Sequence, residues 1–100
     1  MVKGSNLMYR ILIADVDQLA LDALSIMIGQ IDGCKLVATA SSGDEALKIL
    51  EKKPCDLVLL NVLLPAIAGT QVASLIHQEN PKSKVYLMTS LAADLIVTNE

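Results

Sequence analysis

Three apolar runs in this chain each end on polar residues able to do chemistry. ILIA closes on Asp15-Val16-Asp17, LVLL closes on Asn61, and VYLM closes on Thr89-Ser90. In open parallel sheets, ligands bind beyond the carboxyl ends of the strands, so these are the positions to weigh first. A carboxylate there can act as a nucleophile or hold a hard cation such as Mg²⁺, which is typically held by one or two carboxylates plus waters and phosphate oxygens. The bare amide of Asn61 can do far less. Its oxygen is uncharged, its lone pairs are delocalised, and it is a poor nucleophile. His77 lies beside the apolar stripe of a helix, near the end where a cation is mildly favoured, and reads as a solvated surface residue.

The elements that must position these residues follow from hydrophobic periodicity. Met8–Ala14 reads as a first strand, Lys35–Ala40 as a second, Leu57–Leu60 as a third buried on both faces, and Lys84–Thr89 as a fourth. Between them, Ala20, Ala23, Leu24, Met27, Ile28 and Ile31 recur at helical spacing as the core-facing side of a first helix, stopped at Asp32-Gly33. Leu19, Leu21 and Ile26 fall off that side. Asp17 precedes this helix as an N-cap, or as a displaced metal ligand. Ser42 and Glu45 form a capping-box start for a second helix carrying Ala46, Leu47 and Leu50, which closes at Lys52-Lys53-Pro54. Val72, Leu75 and Ile76 mark a third helix ended by Asn80-Pro81, and Ser90 opens a last helical stretch with Leu91, Leu95 and Ile96. Strand-helix alternation with short connections requires right-handed crossovers and a mostly parallel sheet. The fold class is therefore α/β, doubly wound.

Composition narrows the function classes. One hundred residues allow one domain at most. Hydrophobic residues make up 53%, with two Tyr and no Phe or Trp, which fits an aliphatic parallel sheet better than an aromatic-cored barrel. A net charge of −3 with scattered Lys and Arg gives no basic surface for direct nucleic-acid contact. The most apolar stretch is broken by Asn61 and Pro65 and is shorter than the ~20 residues of a membrane span. Arg10 within the N-terminal hydrophobic segment argues against a secretory signal, so the expectation is a cytoplasmic chain without membrane contact.

Taken together, ILIADVD, KLVATASSGDEAL, PCDLVLLNVLLP followed by Gly69, and KVYLMTS resemble the receiver domain of two-component response regulators, from about Tyr9 to Glu100. The resemblance implies a flavodoxin-like sheet, with strand order 2-1-3-4 here. The family's fifth strand and helix are lacking, because the sequence stops at Glu100 inside what would be the fourth helix. It also implies roles by position. Asp15 matches the first acid of a Mg²⁺-holding pair, and Val16 stands where the second belongs. Asn61 stands where the phosphoacceptor Asp belongs, and Thr89 matches the phosphoryl-binding hydroxyl. The Lys expected after strand five has no counterpart.

These departures predict a pseudo-receiver that is not phosphorylated at the usual position and is not an enzyme. Asp15 is left either as a weak cation ligand or as a strand-end carboxylate bonded to loop amides, so Mg²⁺ binding is expected to be weak or lost. The chain would act through protein–protein contacts, as the N-terminal part of a response regulator. Strand four, with Val85, Tyr86, Leu87 and Met88 on an open edge, is the expected route to a partner or to self-association. Alternatives are a phosphoacceptor working through Asp15 or Asp17, or a truncated or engineered fragment of a conventional regulator. The loss of acid at Val16 as well as at Asn61 argues against engineering, since one change would have sufficed. Cys34 and Cys55 fit no metal spacing. They would begin the strands flanking strand one, about 9–10 Å apart at a ~4.8 Å strand spacing. A disulfide needs ~7 Å or less, so no bridge is expected.

Overall fold

The computed structural model describes residues 8–89. Four strands and three helices alternate along the chain. They are β1 (Tyr9–Ala14), α1 (Gln18–Gly29), β2 (Cys34–Ala40), α2 (Gly43–Lys52), β3 (Leu57–Asn61), α3 (Gly69–Glu79) and β4 (Lys84–Met88). All strand pairings are parallel, in the order β2-β1-β3-β4. The doubly wound, flavodoxin-like arrangement is thus present. The helix expected from Ser90 lies outside the described residues.

β1 is one of the two inner strands, and its apolar run is unbroken. Ile11, Leu12, Ile13 and Ala14 are all buried, with alternate side chains on opposite faces. Leu12 and Ala14 join Val58 and Leu60 under α2 and α3, where Ala46, Leu50, Val72 and Ile76 close the larger core. Ile11 and Ile13 meet Leu21 and Ile28 of α1 on the other face. The β1–β2 register shifts between Ile11 and Leu12, a bulge that brings Ala14 opposite Ala40 at the top of the sheet. There Asp15 N donates to Ala40 O at 3.0 Å.

The helix starts follow their capping residues. Ser42 Oγ accepts from Glu45 N at 3.3 Å, while Glu45 Oε1 accepts from Ser41 N, one residue earlier than the standard box. Asp44, on the first turn of α2, has its carboxyl held below the ordinary value, chiefly by the Ser42 side chain. Asp17 caps α1, its Oδ1 accepting from Leu19 N at 3.0 Å. Asp17→Ala should therefore cost about 1 kcal/mol, lowering the melting temperature by about 4–8 °C in a circular-dichroism melt.

Two expectations about packing are corrected. Leu21, placed off the core side, is buried against the sheet, whereas Met27 and Ile31 are more than half exposed. α1 is rotated relative to the pattern because Leu21 and Ile28 face the sheet floor, and Ala20, Leu24 and Met27 lie to one side of it. β3 is fully buried on only one face. Val58 and Leu60 are buried, but Leu57 and Leu59 are half-buried. The cause is that α1 packs against β1 and β2, leaving the same face of β3 and β4 partly open among the described residues.

Cys34 lies in β2 and Cys55 just ahead of β3, on either side of β1, and both are free thiols. Burial pushes the Cys55 thiol up, and its Sγ donates to Lys53 O.

Candidate functional site

The carboxyl ends of β1, β3 and β4 meet at the topological switch point, where the chain order reverses across β1. Asp15 and Asn61 are the buried polar residues among those described, at 5% and 4% exposure. They face each other across the β1–β3 pair, Asn61 Nδ2 donating to Asp15 Oδ2 at 3.2 Å. Asp15 Oδ1 accepts from Asp17 N at 2.9 Å, and Asn61 Oδ1 accepts from Leu63 N at 2.7 Å.

One local habit explains three of these contacts. Short polar side chains capture the amide two residues on, as Asp15 does with Asp17, Asp17 with Leu19 and Asn61 with Leu63. Leu63 was missed as a site residue because its contribution is a backbone N–H. An Asn at a strand end is the signal that could have found it. The Asn61 amide satisfies both neighbours in one orientation only, since its NH₂ must face the carboxylate and its oxygen the Leu63 N–H.

The remaining positions surround this pair. Val16 is 61% exposed in the β1–α1 loop and contributes no polar atom. Asp17 is spent on the helix cap. Thr89, directly after β4, lines a cavity of about 600 Å³ together with Asp15, Asn61, Met88 and the first turns of α1. Val62 N donates to Met88 O at 2.9 Å, tying the loop after Asn61 to the end of β4. His77 sits exposed in the last turn of α3, away from this cluster.

This donor set does not fit Mg²⁺. A hard cation wants carboxylate and water oxygens, but here the Asp15 carboxylate faces an amide NH₂, a donor that opposes a cation, and Asp17, which lines the same cavity, has its Oδ1 engaged in the α1 cap. Turning the amide over would present its oxygen but strand the Leu63 N–H. Among the described residues no group of three His, Cys, Asp or Glu is placed to hold a metal. No helix of the described residues is long and apolar enough to cross a membrane.

A parallel sheet in this order, with a buried polar pair at its switch point and helices on both faces, defines a receiver-type α/β domain. The chain belongs to the response regulator receiver domain family, whose model matches residues 11–99, and so to two-component signalling. It is 36% identical over 78 residues to the positive alginate biosynthesis regulatory protein of Pseudomonas aeruginosa, covering 76% of this chain and 32% of that protein. It is 32% identical over 87 residues to the response regulator GacA of Pseudomonas viridiflava, covering 87% of this chain and 41% of GacA. The chain therefore spans about a third to two fifths of the length of these relatives. Its fold matches the signal receiver domain of NarL from Mycobacterium tuberculosis with a TM-score of 0.78 at 22% identity, over 83% of this chain and 67% of that one.

Proposed function

We propose that this receiver domain signals without aspartyl phosphorylation, through protein–protein contacts, as the N-terminal part of a longer cytoplasmic response regulator. One observation carries the reading. The residue at the phosphoacceptor position is an amide, and both of its ends are hydrogen-bonded, to Asp15 and to the Leu63 N–H. Phosphoryl transfer needs an attacking oxygen and cationic help for the charge spread over the transferred group. Asn61 offers no such nucleophile, and Val16 supplies no second carboxylate for a metal. In this reading the domain is an interaction module and not an enzyme, and Thr89 has no phosphoryl group to bind. β4, from Val85 to Met88, is the edge strand among the described residues and is the proposed contact route, since unpaired backbone groups on an edge strand recruit another chain.

The competing reading makes Asp15 or Asp17 the phosphoacceptor. It is weaker because Asp15 is buried with both oxygens engaged, and Asp17 Oδ1 is held by the Leu19 N–H. Incubation with acetyl phosphate and Mg²⁺, followed by intact-mass measurement, separates the two. The expected spectrum shows the unmodified chain alone. A phosphoryl adduct lost on substituting Asp15 or Asp17 would establish the competing reading instead.

A further inference from the structure

The turn between α1 and β2, at the end of the sheet away from Asp15 and Asn61, carries a reactive pair that signalling does not use. Cys34 N donates to Ile31 O at 3.2 Å, closing a four-residue turn with Asp32 and Gly33 at its centre. Gly33 sits at φ 86°, the left-handed value that a type II turn demands at its third position, which is why a glycine follows the aspartate. Asp32 is exposed, and among the described residues neither its carboxylate nor the Gly33 N–H has a hydrogen-bond partner. A Cβ on Gly33 would meet nothing within 4 Å, so the peptide joining the two residues lies open.

The side-chain carbonyl carbon of an Asp or Asn can be attacked by the nitrogen of the next residue, closing a five-membered succinimide ring. The attack needs an unengaged side chain, an unbonded N–H and little bulk on the residue that follows. Every other Asp and Asn among the described residues fails on at least one count. Asp15 is buried with both oxygens bonded, and Asp17 caps α1. Asp22 lies within α1 and accepts from Gln18, while Asp44 is followed by a Glu45 N–H that donates to Ser42 Oγ. Asp56 accepts from Arg10 N and precedes the bulky Leu57. Asn61 is bonded at both ends, and Val62 N donates to Met88 O. Asn80 is followed by Pro81, which has no N–H.

We propose that Asp32-Gly33 is a modification site at which the folded domain converts aspartate to isoaspartate. Gly33 N bonds to Asp32 Cγ, and the amide proton leaves with the carboxyl OH as water. Water then reopens the ring. Cleavage at the Cγ–N bond restores aspartate, whereas cleavage at the main-chain carbonyl carbon leaves the chain running through the Asp32 side chain. No atoms are gained or lost overall, and one carboxylate remains. The new linkage adds a carbon to the ring closed by Cys34 N and Ile31 O. It also displaces Gly33, whose carbonyl accepts from Tyr9 N at 2.7 Å. These two bonds seat the start of β1–β2 pairing, where Tyr9 lies opposite Cys34, and the bulge between Ile11 and Leu12 interrupts that pairing three residue pairs later. Isomerisation therefore loosens Tyr9–Ile11 against Cys34–Leu36. The pairing above the bulge, up to Ala14 opposite Ala40, stays in place, as does the Asp15–Asn61 contact.

Storage of the full folded chain at neutral pH and physiological temperature tests this, with a free peptide of residues 28–36 as the clock. At unchanged intact mass, a protease that cuts before aspartate should lose its cut at Asp32 on a timescale comparable to the peptide's, and keep its cuts at Asp15, Asp22 and Asp56. Isoaspartyl methyltransferase with labelled S-adenosylmethionine should label the stored chain, and most of that label should be lost in Asp32→Glu. That variant keeps the exposed charge and the fold but would need a six-membered ring to cyclise. In the converted chain, amide hydrogen exchange should rise over residues 9–11 and 34–36 and stay unchanged over residues 38–40. A folded chain that keeps its cut at Asp32 after the peptide has converted overturns the proposal. So does label undiminished in Asp32→Glu, or a converted chain whose exchange is unchanged over residues 9–11.

Discussion

Asn61→Asp combined with Val16→Asp is expected to melt well below the parent chain without Mg²⁺ and to recover when Mg²⁺ is added. The first effect follows from the 3.2 Å contact between Asn61 Nδ2 and Asp15 Oδ2. Replacing the amide by a carboxylate exchanges a buried hydrogen bond for two like charges at the same distance, both almost fully out of water. Losing the bond costs about 1–3 kcal/mol, and confronting the charges, or protonating one of them, adds on the order of 1 kcal/mol. A net loss of about 2–4 kcal/mol corresponds to a fall of about 10–25 °C for a domain of this size. Val16→Asp alone should be nearly silent, within about 0.5 kcal/mol, because Val16 is 61% exposed.

Recovery is the more informative half of that result. With Asp15, Asp17 and the carboxylate introduced at Asn61, the pocket of the double variant would offer three acids to a hard cation, with the one introduced at Val16 at its exposed rim. The parent offers Asp15 beside an opposing NH₂ and Asp17 with one oxygen already capping α1. Mg²⁺ at a hundred times its dissociation constant would return about 2.7 kcal/mol, most of what was lost. Thermal melts of the parent, both single variants and the double variant, each with and without Mg²⁺, provide the check. A double variant that melts low but ignores Mg²⁺ would mean that the pocket no longer has the geometry of a cation site. Asn61 would then be only one of several changes separating it from a phosphorylatable receiver.

The order of elements was legible because each apolar run is short and closed by a residue with one clear job. Ser42 opens α2, Pro54 follows its end, and Asn80-Pro81 closes α3. Asp17 as a cap was equally legible, since a short acceptor ahead of a helix has an unmet amide within reach. The orientation of α1 was not. With leucine, isoleucine, methionine and alanine on three sides, its sequence permits several core-facing sides, and the bulged β1–β2 pairing and the helix's seat over β1 and β2 choose Leu21 and Ile28. Nor could β3 be seen to be half-open. The run Leu57–Leu60 reads the same whether or not a second helix covers its α1 side. At the site, residue types were visible but their partners were not. Besides the bond between them, the Asp15 and Asn61 side chains are held by main-chain N–H groups, those of Asp17 and Leu63, which any residue type but proline could supply.

The glycine following the site gives the other large effect. Gly69→Ala should destabilise the domain by about 3 kcal/mol or more, whereas Gly29→Ala should leave it unchanged or slightly more stable. Both are helical positions, at the first residue of α3 and the last of α1, and intrinsic propensity favours alanine at either by up to ~1 kcal/mol. What differs is the space. A Cβ on Gly69 would run into the Asn61 carbonyl oxygen and lie 2.8 Å from Val62 Cα, both backbone atoms of the strand end. A Cβ on Gly29 would meet nothing within 4 Å. Backbone cannot swing aside as a side-chain tip can, so the β3–α3 connection would have to move as a whole. That connection has little slack. Gly69 N donates to Val62 O, Gly43 N donates to Pro65 O, and Ala66 already sits at φ 71°, a left-handed conformation that costs a non-glycine residue about 1–2 kcal/mol. Shifting it would also pull Leu63 N off Asn61 Oδ1, so the two ends of the site loosen together. Urea unfolding of the two variants beside the parent should place Gly69→Ala lowest in midpoint with little change in slope, and Gly29→Ala at or above the parent. Equal midpoints for Gly69→Ala and the parent would show that the close approach of α3 to the Asn61 carbonyl is not what fixes this loop.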